Sequence, residues 1–256
     1  MGMNLMFTAQ LAAQYKSASQ KCRVMTESWV KNEAFCPSCG NLHLNQYANN
    51  KPVADFYCEN CNEDFELKSK KDAFGVKLVD GAYETMLGRL SAVRNPSFFL
   101  LNYDPSSYEV INFMVIPKHF FVPGIIEKRS PLSSNARRAG WIGCNILLSR
   151  IPEAGRIFLI KDRLLKPKEH VCGAWQKTLF LRDENRAKGW LMDVMRCVEI
   201  IRKEEFSLSE VYKFESALAK QHPENKHIRD KIRQQLQVLR DRNYLQFTGQ
   251  GKYKLV

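Results

Sequence analysis

Four cysteines constrain what this chain can fold into more than any other feature. Cys36-Pro-Ser-Cys39 is followed, 18 residues later, by Cys58-Glu-Asn-Cys61. Each Cys-x-x-Cys turn aims two thiolates at one point, and two such turns complete a tetrahedron around Zn²⁺. Gly40, directly after the first pair, suits the tight turn that such a knuckle needs. Two disulfides or a redox dithiol would use the same residues. Disulfides are disfavoured by four further thiols, Cys22, Cys144, Cys172 and Cys197, scattered at no ligand spacing. They are also disfavoured because the opening MGMNLMFTAQLAAQYK has no basic start or sustained apolar stretch, so no secretory leader is expected. The expected zinc is structural, because four thiolates leave no open coordination position and catalytic zinc needs one. The five histidines are dispersed and add no ligand pair.

Charge narrows the choice of partner. The 256 residues include 39 Lys plus Arg against 27 Asp plus Glu, a net of +12. With 45% apolar and 26% charged residues, neither a disordered tail nor a coiled-coil rod fits. No apolar run reaches the roughly 18 residues that a spanning helix needs. The best candidate, Ile111 to Ile126, is broken by Pro117, Lys118, His119 and Pro123. A cytoplasmic protein without membrane association is expected. An excess of positive charge with no anchor and no basic amphipathic helix puts nucleic acid first among polyanionic partners. A basic but inert surface is the plain alternative.

Patterning divides the chain in two, at 1–182 and 183–256. The first part mixes helices and strands. Residues 7–34 read as helical. Strand-like runs at 52–57 and 64–70 flank the second cysteine pair, and in the latter Phe65 and Leu67 share one face while Asp64, Glu66, Lys68 and Lys70 share the other. A helical stretch from Asp80 to Arg94 ends at Asn95-Pro96. Apolar strands are expected at 97–103, 108–116 and 156–160, with a loop region at 123–143. Residues 183–189 form a charge-dense linker. Three helices then follow, near 190–204, 207–220 and 226–241, the second capped by Ser207 or Ser209. Two β-like runs around Gly249-Gln-Gly251 close the chain. Three helices followed by a hairpin is the order of a winged helix. The expected fold class is therefore an α/β domain with an inserted zinc site, plus a winged-helix domain.

Charge within the second part follows the same plan. Residues 182–225 hold 8 Lys plus Arg against 9 Asp plus Glu, whereas residues 226–256 hold 8 against 2, a net of +6. The positive charge sits on the third helix and the wing, the parts of a winged helix that face DNA. In the third helix Ile228, Ile232, Leu236 and Leu239 recur as a core stripe. Arg229, Arg233, Gln234 and Gln237 project elsewhere. Arg pairs with guanine O6 and N7, and Gln with adenine N6 and N7, in the major groove. A solvated polar face is the bland reading of the same four residues.

Asp55, then ten residues, then Glu66-Leu67-Lys68 carries the chemistry. Cleaving a phosphodiester needs a metal that offsets phosphoryl charge and acidifies the attacking water. Asp55 and Glu66 suit Mg²⁺, a hard cation that prefers oxygen, and the Leu67 backbone carbonyl is a third donor. Lys68, two residues from Glu66, falls on the same strand face, where it can orient the water. The spacing alone is weak. It gains weight because Cys58 and Cys61 lie between the two acids, making the zinc knuckle the turn that sets their approach. A zinc ribbon with solvent-exposed charges is the alternative. Lys70 and Lys71 are either phosphate contacts or solvated.

The arrangement resembles that of the PD-(D/E)XK nucleases, with Pro52 three residues ahead of the aspartate instead of next to it. Over nearly the whole chain the sequence resembles the methyl-directed type II restriction endonucleases. The stretches that carry the likeness are CPSCGN, NNKPVADFYCENC, FELKSKK, DGAYETM, ARRAGWIGCN, GRIFL, HIRDKIRQQLQVLRD and GKYKLV. The resemblance implies a PD-(D/E)XK catalytic domain with a zinc site, followed by a winged helix that reads DNA. It implies Mg²⁺-dependent cleavage of double-stranded GATC carrying N6-methyladenine, with Asp55, Glu66 and Lys68 as the active-site residues. The methyl requirement comes from the resemblance alone. Within the first domain, Ala136-Arg-Arg-Ala-Gly-Trp141 is the candidate reader: Trp141 offers an apolar face to a methyl, and Arg137 and Arg138 suit phosphates or guanines. Ordinary core packing is the alternative for Trp141. A monomer nicking each strand in turn is expected. Two rivals stand beside this reading: a zinc-ribbon and winged-helix regulator without cleavage activity, and a repair or structure-specific nuclease with the same active site.

Overall fold

The computed structural model describes residues 2–48, 54–90, 95–182 and 188–256. Pro52, the start of the run at 52–57, the end of the stretch expected at 80–94 and residues 183–187 of the linker lie outside the described residues. The chain divides into two compact units, Met1–Ser149 with Ala154–Thr178, and Arg150–Glu153 with Leu179–Val256.

The first unit is mixed α/β. Its helices are α1 (Ala18–Glu33), α2 (Tyr83–Leu90) and α3 (Lys168–Gln176). Its strands, among the described residues, are β1 (Asn45–Gln46), β2 (Phe56–Tyr57), β3 (Asp64–Lys70), β4 (Lys77–Ala82), β5 (Ser97–Asp104), β6 (Glu109–Ile116), β7 (Ile126–Lys128), β8 (Gly143–Leu147), β9 (Ile157–Lys161) and β10 (Leu164–Leu165). Seven of them form one sheet in the order β1-β2-β3-β5-β6-β9-β10. Only the central β3–β5 pair is parallel, with Glu66 opposite Phe98 and Lys68 opposite Leu100. The crossover between them carries α2 and β4, and β4 joins a second sheet in the order β4-β8-β7.

Alternation along β3 decides what each face of the large sheet does. Phe65 is fully buried and stacks on Phe99 at 4.4 Å, and Phe99 meets Phe113 at 4.9 Å. Trp29 of α1 packs edge-on to Phe113 and Trp175 of α3 packs against Phe65, so this face is the aromatic core. Apolar burial of this kind is worth about 25 cal/mol per Å². Glu66 and Lys68 point to the other face, as period-two alternation requires.

The expected strands at 97–103, 108–116 and 156–160 coincide with β5, β6 and β9. Three other stretches differ. Of the helix expected over 7–34, α1 forms only from Ala18: residues 5–7 pair with the start of β6, where Val110 N–H donates to the Leu5 carbonyl at 2.8 Å and Phe7 N–H to the Tyr108 carbonyl at 2.9 Å, and Ala9–Ala12 form a separate short 3-10 turn. The stretch from Asp80 is not a helix at its start: β4 pairs with β8 through a register shift between Asp80 and Ala82, and α2 begins at Tyr83. Tertiary pairing overrides helical patterning there. The region 123–143 is not all loop, since β7 and β8 form a hairpin that continues through Arg129 N–H to the Gly143 carbonyl (3.0 Å) and Leu132 N–H to the Trp141 carbonyl (2.9 Å).

The second unit contains α4 (Lys188–Ile201), β11 (Glu205–Ser207), α5 (Leu208–Tyr212), α6 (Glu215–Gln221), α7 (Ile228–Asp241), β12 (Leu245–Gly249) and β13 (Lys252–Leu255), with a sheet in the order β11-β13-β12. This is a winged helix. Ser207 caps α5 in a capping box: its hydroxyl accepts from the Glu210 N–H, and the Glu210 carboxylate accepts from the Ser207 N–H at 2.8 Å. The helix expected over 207–220 is two pieces, because Lys213 and Phe214 turn their N–H groups to the carbonyls three residues back and tighten the chain into a corner. Ile228, Ile232, Leu236 and Leu239 are all buried, as their stripe on α7 requires. No helix among the described residues is long and apolar enough to cross a membrane.

Candidate active site

The two cysteine turns have the same backbone. In the first, Cys36 N–H donates to the Asn41 carbonyl and Gly40 N–H to the Cys36 carbonyl, both at 2.8 Å. In the second, Cys58 N–H donates to the Glu63 carbonyl at 2.9 Å and Asn62 N–H to the Cys58 carbonyl at 2.8 Å. Gly40 (φ 76°) and Asn62 (φ 57°) both take the left-handed conformation that closes the knuckle. Asn62 was not singled out from sequence, although its place after the second pair repeats that of Gly40 after the first.

The Sγ atoms of Cys36, Cys39, Cys58 and Cys61 all lie within 4.8 Å of one another. The Cys36–Cys61 and Cys39–Cys58 pairs are each 3.6 Å apart and none is oxidised. A tetrahedral ion with Zn–S bonds near 2.3 Å sets neighbouring sulfurs about 3.8 Å apart, so this cluster could hold zinc. Burial pushes the Cys36 and Cys61 thiols up, Cys61 to about 11. At Cys39 burial is outweighed by hydrogen bonds from Asn60, the Asn41 backbone and neighbouring thiols, and the value falls to about 7. Loading the site therefore has to displace protons from sulfur. The other four cysteines lie outside the cluster.

The second knuckle is the loop of the β2–β3 hairpin, in which Phe56 faces Phe65 and Tyr57 faces Asp64. Asp55, inside the run expected as strand at 52–57, sits instead in a bend one residue before β2. Its backbone is nevertheless pinned on both sides: its N–H donates to the Phe65 carbonyl and its carbonyl accepts from Tyr47 N–H, each at 2.9 Å. Its side-chain Oδ2 accepts from Leu67 N–H at 2.7 Å. Asp55, Glu66, Leu67 and Lys68 line one cleft of about 630 Å³. The structure thus brings together the residues expected from spacing.

Two residues missing from the sequence reading complete the cleft's charge pattern. Glu66 Oε1 lies 2.6 Å from Lys68 Nζ, and Glu66 Oε2 lies 2.7 Å from Nη2 of Arg89 on α2. Lys68 Nζ also donates to Oδ1 of Asp80 on β4 at 2.7 Å. The result is an alternating chain of Arg89, Glu66, Lys68 and Asp80. Burial by itself lowers the Lys68 ammonium, but Glu66 and Asp80 outweigh it and keep its pKa above the usual lysine value. Burial pushes the Asp55 carboxyl up; the Leu67 N–H opposes this, and the Glu66 and Glu27 carboxylates add to it.

Residues 3–184 match the DpnI family, described as the Dam-replacing family, and residues 186–255 match its C-terminal domain, described as the Dam-replacing HTH domain. The chain belongs to the DpnI family. It is thus of the DpnI restriction-enzyme type, a nuclease family, with a winged helix of the DNA-binding kind.

In this DpnI-family chain the remaining candidates fall on two surfaces. Arg137, Arg138 and Trp141 sit near the tip of the β7–β8 hairpin, the two arginines exposed and Trp141 half-buried. Trp141 is not in the core. The Arg138 guanidinium lies 4.9 Å from its ring centroid, and its edge occupies the space where a Cβ on Gly143 would sit, 2.8 Å away. Strand β8, which carries this hairpin, pairs Cys144 with Asp80, so one small sheet bears both the hairpin and the carboxylate that meets Lys68. On α7, Arg229, Arg233, Gln234 and Gln237 are all exposed. Arg229 packs over the Tyr212 ring and pairs with Glu215 at 2.8 Å, and Arg233 pairs with Asp230.

Proposed function

We propose that this chain is a methyl-directed restriction endonuclease that hydrolyses double-stranded DNA at GATC sites carrying N6-methyladenine. One observation carries the hydrolytic part: Asp55, Glu66 and Lys68 share a cleft at the end of a hairpin whose loop is half of the four-cysteine cluster. Asp55, Glu66 and the Leu67 carbonyl would hold Mg²⁺, and this all-oxygen donor set suits a hard cation. When bound, the ion offsets charge on the phosphoryl oxygens and acidifies water. Lys68, kept charged by Glu66 and Asp80, orients the attacking water and favours its hydroxide form. Asp80 keeps Lys68 in place from the far side. The zinc would be structural, fixing the separation of Asp55 and Glu66 from outside the reaction.

Reading is divided between the units. Arg137, Arg138 and Trp141 form one reading surface, with Trp141 against the methyl. Arg229, Arg233, Gln234 and Gln237 of α7 form the other, in the major groove. The enzyme acts as a monomer, one strand at a time. Plasmid DNA prepared from hosts with and without adenine methylation, incubated with the protein and Mg²⁺, tests the reading. Cutting of the methylated plasmid alone is expected. Equal cutting of both would leave a nuclease of other specificity, and a mobility shift without cutting would leave a DNA-binding regulator.

A further inference from the structure

Both carboxylate oxygens of Glu66 are taken by cations of the chain itself, Oε1 by Lys68 and Oε2 by Arg89. The two cations are not equivalent. Lys68 is gripped from its other side by Asp80, a carboxylate only 6% exposed. Turning Glu66 away therefore leaves Lys68 in place. Arg89 approaches from α2, outside the large sheet, and its side chain lines the cleft with 23% of its surface exposed.

Charge balance gives the pairing a purpose. Asp55 and Glu66 put two carboxylates in the cleft and Asp80 adds a third behind Lys68, against the three cations Lys68, Lys70 and Arg89, while Arg23 and Glu27 pair with each other at 2.6 Å. Without Arg89 the carboxylates would outnumber the cations, and closely spaced carboxylates disfavour ionisation. With a divalent ion added, the same group is left with an excess of positive charge, which favours a phosphate in the cleft.

We propose that Arg89 is a placeholder for the divalent ion: it occupies the Glu66 oxygen that the ion requires, and once displaced it becomes a contact for the substrate phosphate in the same cleft. A guanidinium fork matches phosphate oxygens two at a time, so displacement moves Arg89 from one acidic partner to another. The inference rests on Asp55 and Glu66 being ion ligands.

The test is calorimetric titration of Mn²⁺ into the full-length, zinc-loaded protein without DNA, comparing wild type, Arg89→Ala, Arg89→Gln and Glu66→Gln. A placeholder competes with the ion, so Arg89→Ala should bind Mn²⁺ more tightly, by about fivefold, the upper end for a partly exposed ion pair. The same variant should cleave DNA more slowly at saturating Mg²⁺. Tighter binding with slower cleavage is the signature, since a residue that only supports the fold would weaken both. Zinc content and melting temperature report folding, and Arg89→Gln decides if the alanine variant fails to fold. Unchanged or weaker Mn²⁺ binding in the folded variant overturns the placeholder while leaving the ion site intact. Equal Mn²⁺ binding by wild type and Glu66→Gln overturns the ion site, and the placeholder with it.

Discussion

Burial opposes the ionisation of Asp55. Its carboxyl is raised first by burial, so the ionised form is disfavoured in the folded protein relative to the unfolded one. A raised acid contributes stability below its unfolded pKa and loses it as pH rises through the folded value. At neutral pH the ionised Asp55 is therefore a cost to the fold, one that the Lys68 ammonium reduces and a bound cation would reduce further. Asp55→Asn should raise the unfolding midpoint by about 2 °C at pH 7 without added divalent ion. The gain should vanish near pH 3, where aspartate is protonated in both states, and thermal melts at the two pH values check this. A variant that melts lower at pH 7 would mean that the Leu67 N–H bond outweighs the burial. Asp55, Glu66 and Lys68 were legible in the sequence because they fall within one hairpin, where spacing translates into a shared face. Asp80 and Arg89 were not. They reach the cleft from a second sheet and a crossover helix, and no local pattern marks a carboxylate or guanidinium whose partner is set by tertiary packing.

The hairpin between β2 and β3 depends on more than its own ladder. Strand β2 has two residues, too few to hold a register alone, and its loop is the second cysteine knuckle. On the proposed reading, sulfur ligation fixes the approach of Asp55 to Glu66. Cys61→Ser should lower zinc content, reduce the melting temperature and abolish cleavage together, although Cys61 touches no part of the acidic cleft. Zinc measured by mass spectrometry against cleavage rate checks this, and full activity in a zinc-depleted variant would detach the knuckle from the chemistry. Element by element, long strands were the legible ones: β5 and β6 are eight residues each and dominated by apolar side chains. Short or long-range elements were not. β11 has three residues and pairs with β13 across most of the second unit. β4 is exposed at Val79 and bulged near Gly81, so only its partner β8 makes it a strand.

At the scale of the whole molecule, the order of elements and the sign of the charge were enough to foresee an α/β unit followed by a winged helix. Neither says how a single methyl is demanded. Burying one methyl is worth about 0.8 kcal/mol, roughly a fourfold preference, which is too small for a site to be refused when unmethylated. On the proposed reading the preference is multiplied over two reading surfaces, the Trp141 hairpin in one unit and the exposed face of α7 in the other. These residues have no shared side-chain partner among the pairs described, so their effects should add in free energy and multiply in rate. Trp141→Ala and Gln237→Ala in the full chain should each cut the ratio of methylated to unmethylated kcat/KM by about fourfold, and the double variant by the product of the two single losses. Zinc content should stay at the wild-type level in all three, because neither side chain is in a core. If the double variant is no worse than the weaker single variant, one unit does all the discriminating and the other only adds affinity. That outcome would assign the methyl to whichever surface retained its single-variant loss, and α7 or the hairpin would then be left with phosphate contacts, visible as a shallower dependence of binding on salt once the arginines of that surface are replaced by alanine.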